Sequence, residues 1–269
     1  MKYIVLIQTI IVTCLFRPAI AQNENWDTYM TKMGKMPASV LVDMGQKEFA
    51  PDPKFPNLVV TGPRTKNCST MGLPDKDEIG TLEDILDATS NFLTGVTAKA
   101  LVGTVTHNCE RLNYYYVKDT MGIRNALNRM YSRTYKDYAY VISIRPDPQW
   151  TTYRNFLYPD EETRNWMDND KIITKMLQQG DSLATPRNIR FEVYFKSDTE
   201  RAAFVGFAKA KGYYTDEQLA KQTPNAPYEA IVSTFNKVTM DVISPMSFEL
   251  KKEARKHNGF YNGWVAGKK

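Results

Sequence analysis

An α+β fold made of two tandem domains, each with the element order β-α-β-β-α-β, is predicted by three features of this 269-residue chain. Runs of β-branched and aromatic residues alternate with amphipathic stretches of helical period. The same order of elements is written twice, before and after a Pro- and acid-rich break. Each long amphipathic stretch also carries its own start or stop signal.

The chain opens on an export signal. Lys2 is a short basic start, Tyr3 to Phe16 is an apolar run, and Ala19-Ile20-Ala21 supplies small residues where a signal peptidase cuts. Cleavage is expected between Ala21 and Gln22, leaving a secreted or periplasmic protein without membrane insertion. The run is too short to span a bilayer comfortably, and Val12 and Thr13 fit poorly before Cys14 as a lipidation site. The formal net charge is +5, or +3 once Lys2 and Arg17 leave, too mild for the clustered basic face of a nucleic-acid binder. The remaining chain suits one large or two smaller domains.

The break is "LYPDEETRN" (157–165), which divides the mature chain into domains 22–160 and 161–269. The second is the basic half, +4 against −1 when the cut is taken after residue 161. In the first, "ASVLVDM" (38–44) and "NLVVTGPR" (57–64) are β-rich. Thr81 with Asp84 forms a variant capping box opening a helix with Leu82, Ile85, Leu86, Thr89 and Leu93 on one stripe, stopped at Gly95. "KALVGTVTH" (99–107) and "RLNYYYVKD" (111–119) are strands joined by the turn Asn108-Cys109-Glu110. Asp119 caps a helix reaching about Arg133, and "YAYVISIRP" (138–146) is a last strand.

The second half begins with an extra helix, Glu162 to Gln179, stopped by Gly180. "NIRFEVYF" (188–195) alternates as a strand, Ser197 with Glu200 is a capping box, and that helix stops at Gly212. A short strand near Tyr213-Tyr214 precedes "YEAIVSTFNKV" (228–238). Ser244 then caps a helix with Pro245 in its first turn, Asn258-Gly259 ends it, and "FYNGWV" (260–265) closes the sheet. In that tail Phe260, Asn262 and Trp264 are expected on one face and Tyr261, Gly263 and Val265 on the other. This is the split-βαβ, ferredoxin-like order, in which two helices cover one face of a four-stranded antiparallel sheet.

That topology brings Cys68, just past the first strand, to the end of the sheet where Cys109 turns into the third. A disulfide between them is expected, closing about 40 residues and contributing on the order of 4 kcal/mol; export permits it.

No catalytic constellation stands out, and no cofactor or metal site is expected. His107 lies near Cys109, yet no third ligand or orienting carboxylate has a telling spacing. His257 suits a helix C-terminus. The acids of "MGLPDKDE" (71–78) read as a turn before a helix. The tyrosines of "NYYYV" (113–117) lack the basic companions of an RNA-stacking sheet. "KKEARKH" (251–257) reads as the solvated face of an amphipathic helix. Interaction candidates are Tyr261 and Trp264 in the tail, Arg187 and Arg190 beside the 188–195 strand, and Trp150. An enzyme reading would use Arg145, Asp147, Trp150 or Tyr153 in a cleft.

Two family resemblances follow from particular segments. "WDTY", "ASVLVDM", "GLPD", the tyrosine-rich strand and "DPQWTTYRNFLYP" (147–159) resemble the bacterial domain-of-unknown-function family 695. That family has no assigned activity to carry over. "EETRNWMDNDKIITKMLQQGDSLATPRNIRFEVYF", "DTERAAFVGFAKAKGYY" and "GFYNGW" resemble the regulator of ribonuclease E activity B. The second resemblance implies an α+β, ferredoxin-like domain that binds and inhibits a cytoplasmic ribonuclease. This chain departs from it in its export signal, its basic second half, and Asn262 where the signature has Asp. Fold is expected to transfer and function is not. The expectation is an exported, non-enzymatic protein of two domains that binds another protein or a small ligand in the bacterial envelope. A cytoplasmic ribonuclease regulator and an enzyme are the alternatives.

Overall fold

A computed structural model describes residues 25–219 and 225–267; the expected export signal lies outside them. The chain forms two compact units divided between Arg154 and Asn155.

The first unit is built on β1 (Trp26–Met33), β2 (Met36–Asp43), β3 (Asn57–Pro63), α1 (Lys76–Thr94), β4 (Lys99–His107), β5 (Glu110–Val117), α2 (Ile123–Thr134) and β6 (Tyr140–Pro146). Its sheet has six strands in the order β1-β2-β4-β5-β3-β6, every pair antiparallel. Four strands were expected from residue 57 on, with the β-rich run 38–44 ahead of them. That run is β2, and with β1, which was not expected, it forms an N-terminal hairpin turning at Gly34 (φ 63°) that adds to the free edge of β4. The helix α1 starts at Lys76, earlier than the Thr81 expected from the sequence, because Glu78 is an internal anchor. Its carboxylate, 6% exposed, accepts the backbone N–H groups of Lys66 and Asn67 at 2.8 and 2.9 Å.

Both faces of the central strands β3 and β5 are buried. On the helix side Val59, Tyr115 and Val117 pack with Ile85 and Leu93 of α1 and with Ile123, Leu127 and Tyr131 of α2. On the other side Tyr116 stacks on Trp150 at 4.0 Å, and Trp150 meets the edge of Tyr153. The segment after β6 is held there by Asp147, which accepts the Tyr116 hydroxyl (2.6 Å) and the N–H groups of Thr151 and Thr152 (2.8 and 2.9 Å). Trp150 Nε1 donates to the Phe55 carbonyl and the Tyr153 hydroxyl to the Asp43 carbonyl.

The β4–β5 turn has two residues rather than three, with Asn108 and Cys109 both at positive φ (49° and 60°) and His107 paired with Glu110. That is the backbone of a type I′ hairpin turn. Cys109 is disulfide-bonded to Cys68, with Cα atoms 5.8 Å apart across 41 residues. The loop between β3 and α1 is thereby fixed to the hairpin tip, assisted by Thr65 N–H to Cys109 O and Cys109 N–H to Gly72 O, both 2.8 Å.

The second unit contains α3 (Glu161–Gln178), β7 (Arg187–Phe195), α4 (Asp198–Ala210), β8 (Tyr214–Leu219), β9 (Tyr228–Asn236), α5 (Met240–Lys256) and β10 (Phe260–Ala266). Its antiparallel sheet has the order β10-β7-β9-β8. The capping box is present: Ser197 accepts Glu200 N–H and Glu200 accepts Ser197 N–H. The helix α5 begins at Thr239–Met240 and carries Pro245 inside it, so Ser244 is not its cap. Ser244 and Ser247 instead join a buried polar cluster with Asn165 and Asn169 of α3, and Trp264 Nε1 completes it on Asn169 Oδ1 at 2.8 Å. Satisfied in this way, buried amides and hydroxyls fix one helix register instead of destabilising the core. The core itself is formed by Ile189, Phe191, Val193 and Phe195 of β7 with Phe204, Val205, Ile243, Leu250 and Trp264.

Two predictions follow from this packing. A Cβ on Gly259 would lie 2.3 Å from the Phe195 ring. Gly259→Ala is therefore expected to destabilise the second unit by about 1–3 kcal/mol, as overpacking does, read as a lowered Tm. In the first unit, burial raises the Asp147 carboxyl pKa, but the Tyr116 hydroxyl and the Thr152 and Thr151 N–H groups outweigh it and hold the group below its usual 3.8. A depressed carboxylate contributes stability above its unfolded pKa and loses it as pH falls through the folded value. The Tm of the wild type should thus fall below about pH 4 more steeply than that of Asp147→Asn. Parallel curves would refute this assignment.

Candidate functional site

The strand β7 reads Arg187-Asn188-Ile189-Arg190-Phe191-Glu192-Val193-Tyr194-Phe195, and its burial alternates. Odd-numbered residues enter the core and even-numbered ones emerge on the opposite side of the sheet, as the two-residue period of a strand requires. Its neighbours extend this side. Val265, Arg190, Ser233 and Tyr214 form one row across all four strands, while Phe260, Tyr194 and Glu229 form a second, and Asn188 pairs with Phe235. Four large apolar groups here stand in solvent, Tyr214 being 75% exposed, Phe235 66%, Phe260 62% and Val265 51%, whereas Ile231 on the same side is buried.

Polar groups are set among them. Asn262 Nδ2 donates to Glu192 Oε2 at 3.2 Å, and Glu192 pairs in register with Ile231, which in turn faces Asp216. Burial, then the nearby charges of Glu229 and Glu192, push the Tyr194 phenol up to about 12, so it stays a neutral hydroxyl at any physiological pH. Arg190 is exposed in the same array. The result is an open face of aromatic and aliphatic groups around acidic and hydroxyl groups.

The candidates chosen from sequence are distributed differently from expectation. Arg190 lies on this face. Arg187 does not: it is 3% exposed and forms a two-pronged ion pair with Asp181 (2.5 and 2.7 Å). Its guanidinium also reaches the carbonyl of Gly267 at 3.0 Å, so it serves as an internal tie to the end of the chain. Trp150 is 1% exposed beneath Tyr116 and offers no surface. Trp264 is 5% exposed, and Tyr261 packs against the same core with its hydroxyl enclosed.

The tail departs from simple alternation because of a bulge. The pairing of β10 with β7 steps from Tyr261–Val193 to Gly263–Glu192, leaving Asn262 as the extra residue and Gly263 at φ 124°. One inserted residue inverts the face of everything after it. Tyr261 and Trp264 consequently share the core side, whereas Phe260 and Val265 share the open side. The exposed residues of this face that the sequence reading did not single out are Tyr214, Phe235, Phe260 and Val265. The alternation of "NIRFEVYF" was the signal for this face, since residues opposite a core-facing set must emerge somewhere.

The residues of the enzyme reading are structural. Asp147 has both oxygens occupied, Tyr153 is fully buried with its hydroxyl on Asp43 O, and Arg145 donates to the Thr152 hydroxyl at 2.9 Å. His107 Nδ1 lies 3.1 Å from the Pro37 carbonyl and His257 Nε2 3.3 Å from Glu253. Among the described residues no group of three or more His, Cys, Asp or Glu side chains is placed to hold a metal ion.

Two families match the chain in tandem. Residues 166–265 match the regulator of ribonuclease activity B. No curated protein matches. Among solved structures, a "putative glycine cleavage system transcriptional repressor" is 9% identical, with 78% of this chain and 98% of that one covered at a TM-score of 0.21. An unknown protein from Galdieria sulphuraria is 10% identical, with 78% and 96% covered at a TM-score of 0.20. Residues 24–158, half of the sequence, match the family of unknown function DUF695, and the chain belongs to that family.

Proposed function

We propose that this is an exported, non-enzymatic binding protein that recruits another protein through the helix-free face of its second sheet. The observation that carries the reading is that face itself, where Tyr214, Phe235, Phe260 and Val265 are all more than half exposed. Exposed aromatic clusters of this kind are characteristic of recognition surfaces. The match of this unit to a regulator of ribonuclease activity supports protein binding as its mode of action. Both units are read as split-βαβ, ferredoxin-like modules; the order β10-β7-β9-β8 of the second sheet and the β4-β5-β3-β6 part of the six-stranded first sheet support that reading. Export rests on the basic, apolar and small-residue sequence of residues 1–21. The Cys68–Cys109 bond fits an oxidising compartment, and no helix among the described residues is long and apolar enough to cross a membrane.

Compartment and surface are tested separately. N-terminal sequencing of the protein recovered from a bacterial envelope fraction should begin at Gln22; a chain retaining Met1 in the cytoplasm would end the export reading. Affinity capture with the mature chain should recover a partner that Phe235→Asp and Tyr214→Asp each lose by about tenfold or more, the scale of an interface hot spot. Both substitutions are at exposed positions and should leave Tm unchanged. Equal recovery by wild type and both variants would exclude this face.

A further inference from the structure

The first unit holds a pocket that the protein-binding reading does not use. The helix α1 lies over β3 and β4, and α2 over β6, but the sheet continues past β4 into β2 and β1. The N-terminal hairpin thus extends the floor beyond the width its helices cover. A cavity of about 490 Å³ opens along the flank of α1, with Leu86 and Ser90 of the helix as one wall. Trp26, Leu41, Lys99 and Leu101 line the rest. That volume lies within the 300–1,000 Å³ of small-molecule sites, which combine apolar walls with a few fixed polar groups.

The polar groups are unequal. Asp43, the carboxylate in the lining, is already engaged: Oδ1 accepts the N–H groups of Asn25 and Gly45 (3.1 and 2.9 Å), and Oδ2 the Gln46 amide (2.9 Å). The Ser90 hydroxyl is bonded to the Tyr115 phenol at 2.9 Å. Lys99 is the cation of the site. Its ammonium lies 5.5 Å from the centre of the Tyr115 ring and forms no ion pair among the described residues. Burial lowers its pKa from 10.5, which reflects a charge partly stripped of water. A half-buried ammonium beside apolar walls gains most from an anion that brings an apolar body with it.

We propose that this pocket binds a small amphipathic carboxylate, its acyl or aryl body against Trp26, Leu41, Leu86 and Leu101 and its carboxylate on Lys99 Nζ. Neither half of such a ligand suffices alone. The walls do not distinguish an acid from an alcohol, and a single half-buried ammonium still reached by solvent holds a bare anion weakly.

The test uses the mature chain with decanoate, decanol and acetate as probes. Binding is followed by the NMR shifts of the Trp26 indole N–H and the Lys99 side chain. Decanoate is expected to bind with Kd near or below about 1 mM, and decanol and acetate at least about tenfold more weakly. Lys99→Met should abolish the preference of decanoate over decanol, Lys99→Arg should largely keep it, and Leu101→Asp should lose both ligands. Absence of decanoate binding by the wild type, equal affinity for decanoate and decanol, or an unaltered preference in Lys99→Met would each overturn the proposal. These measurements concern the first unit alone, so their failure leaves the partner-binding reading of the second sheet standing.

Discussion

Covering a β-sheet requires apolar material for two faces, and the two units of this chain meet that requirement in opposite ways. In the first, β3 and β5 are buried almost end to end: Leu58 to Pro63 and Asn113 to Val117 have no exposed residue. Helices fill one side, and the segment containing Asp147, Trp150 and Tyr153 closes the other. A strand covered on both sides has to be apolar or internally bonded at every position, which is why Thr104 pairs with Asn113 and Thr61 with Tyr131 and a backbone carbonyl. In the second unit three helices lie against one side of β7. The strand keeps strict alternation, and the other face is left in water.

That difference gives the C-terminal tail its role. A last strand with regular alternation would have divided its aromatics between faces. The bulge at Asn262 and Gly263 lets Tyr261 and Trp264 both enter the core, with Trp264 anchored on Asn169 of α3. Phe260 and Val265 are simultaneously presented on the open side. The buried Arg187–Asp181 pair binds the backbone at Gly267 and so holds the end of this strand. Removing one partner of such a pair would leave an uncompensated charge, at a cost of several kcal/mol. The tail is therefore part of the core and part of the proposed surface at once.

Much of this was legible in the residues. The order of elements from residue 57 on followed from period, with the Ser197–Glu200 box the predicted start signal that is present, and the Cys68–Cys109 pairing followed from topology. What escaped was governed by tertiary context. The β-rich run 38–44 was read as such, but β1 was not, and no helix marks where this hairpin joins the β4 edge. The start of α1 shifted because Glu78 is satisfied by backbone donors twelve and eleven residues earlier. The bulge in β10 was invisible because Asn-Gly reads equally well as a turn. Arg187 and Trp150 looked like contact residues because Arg and Trp favour surfaces and interfaces, whereas here a buried carboxylate and a stacked tyrosine claim them. The members of the open face follow from the register of four strands, not from any one segment.

The helix-free face of the second sheet is the proposed docking surface for another protein. The most direct measurement places a photo-crosslinking amino acid at Phe235, and separately at exposed Lys209 on α4, in the chain expressed in bacterial cells. A discrete crosslinked adduct is expected from position 235 and none from position 209. An adduct from 209 alone, or none from 235 under conditions where the partner co-purifies, would contradict that docking surface.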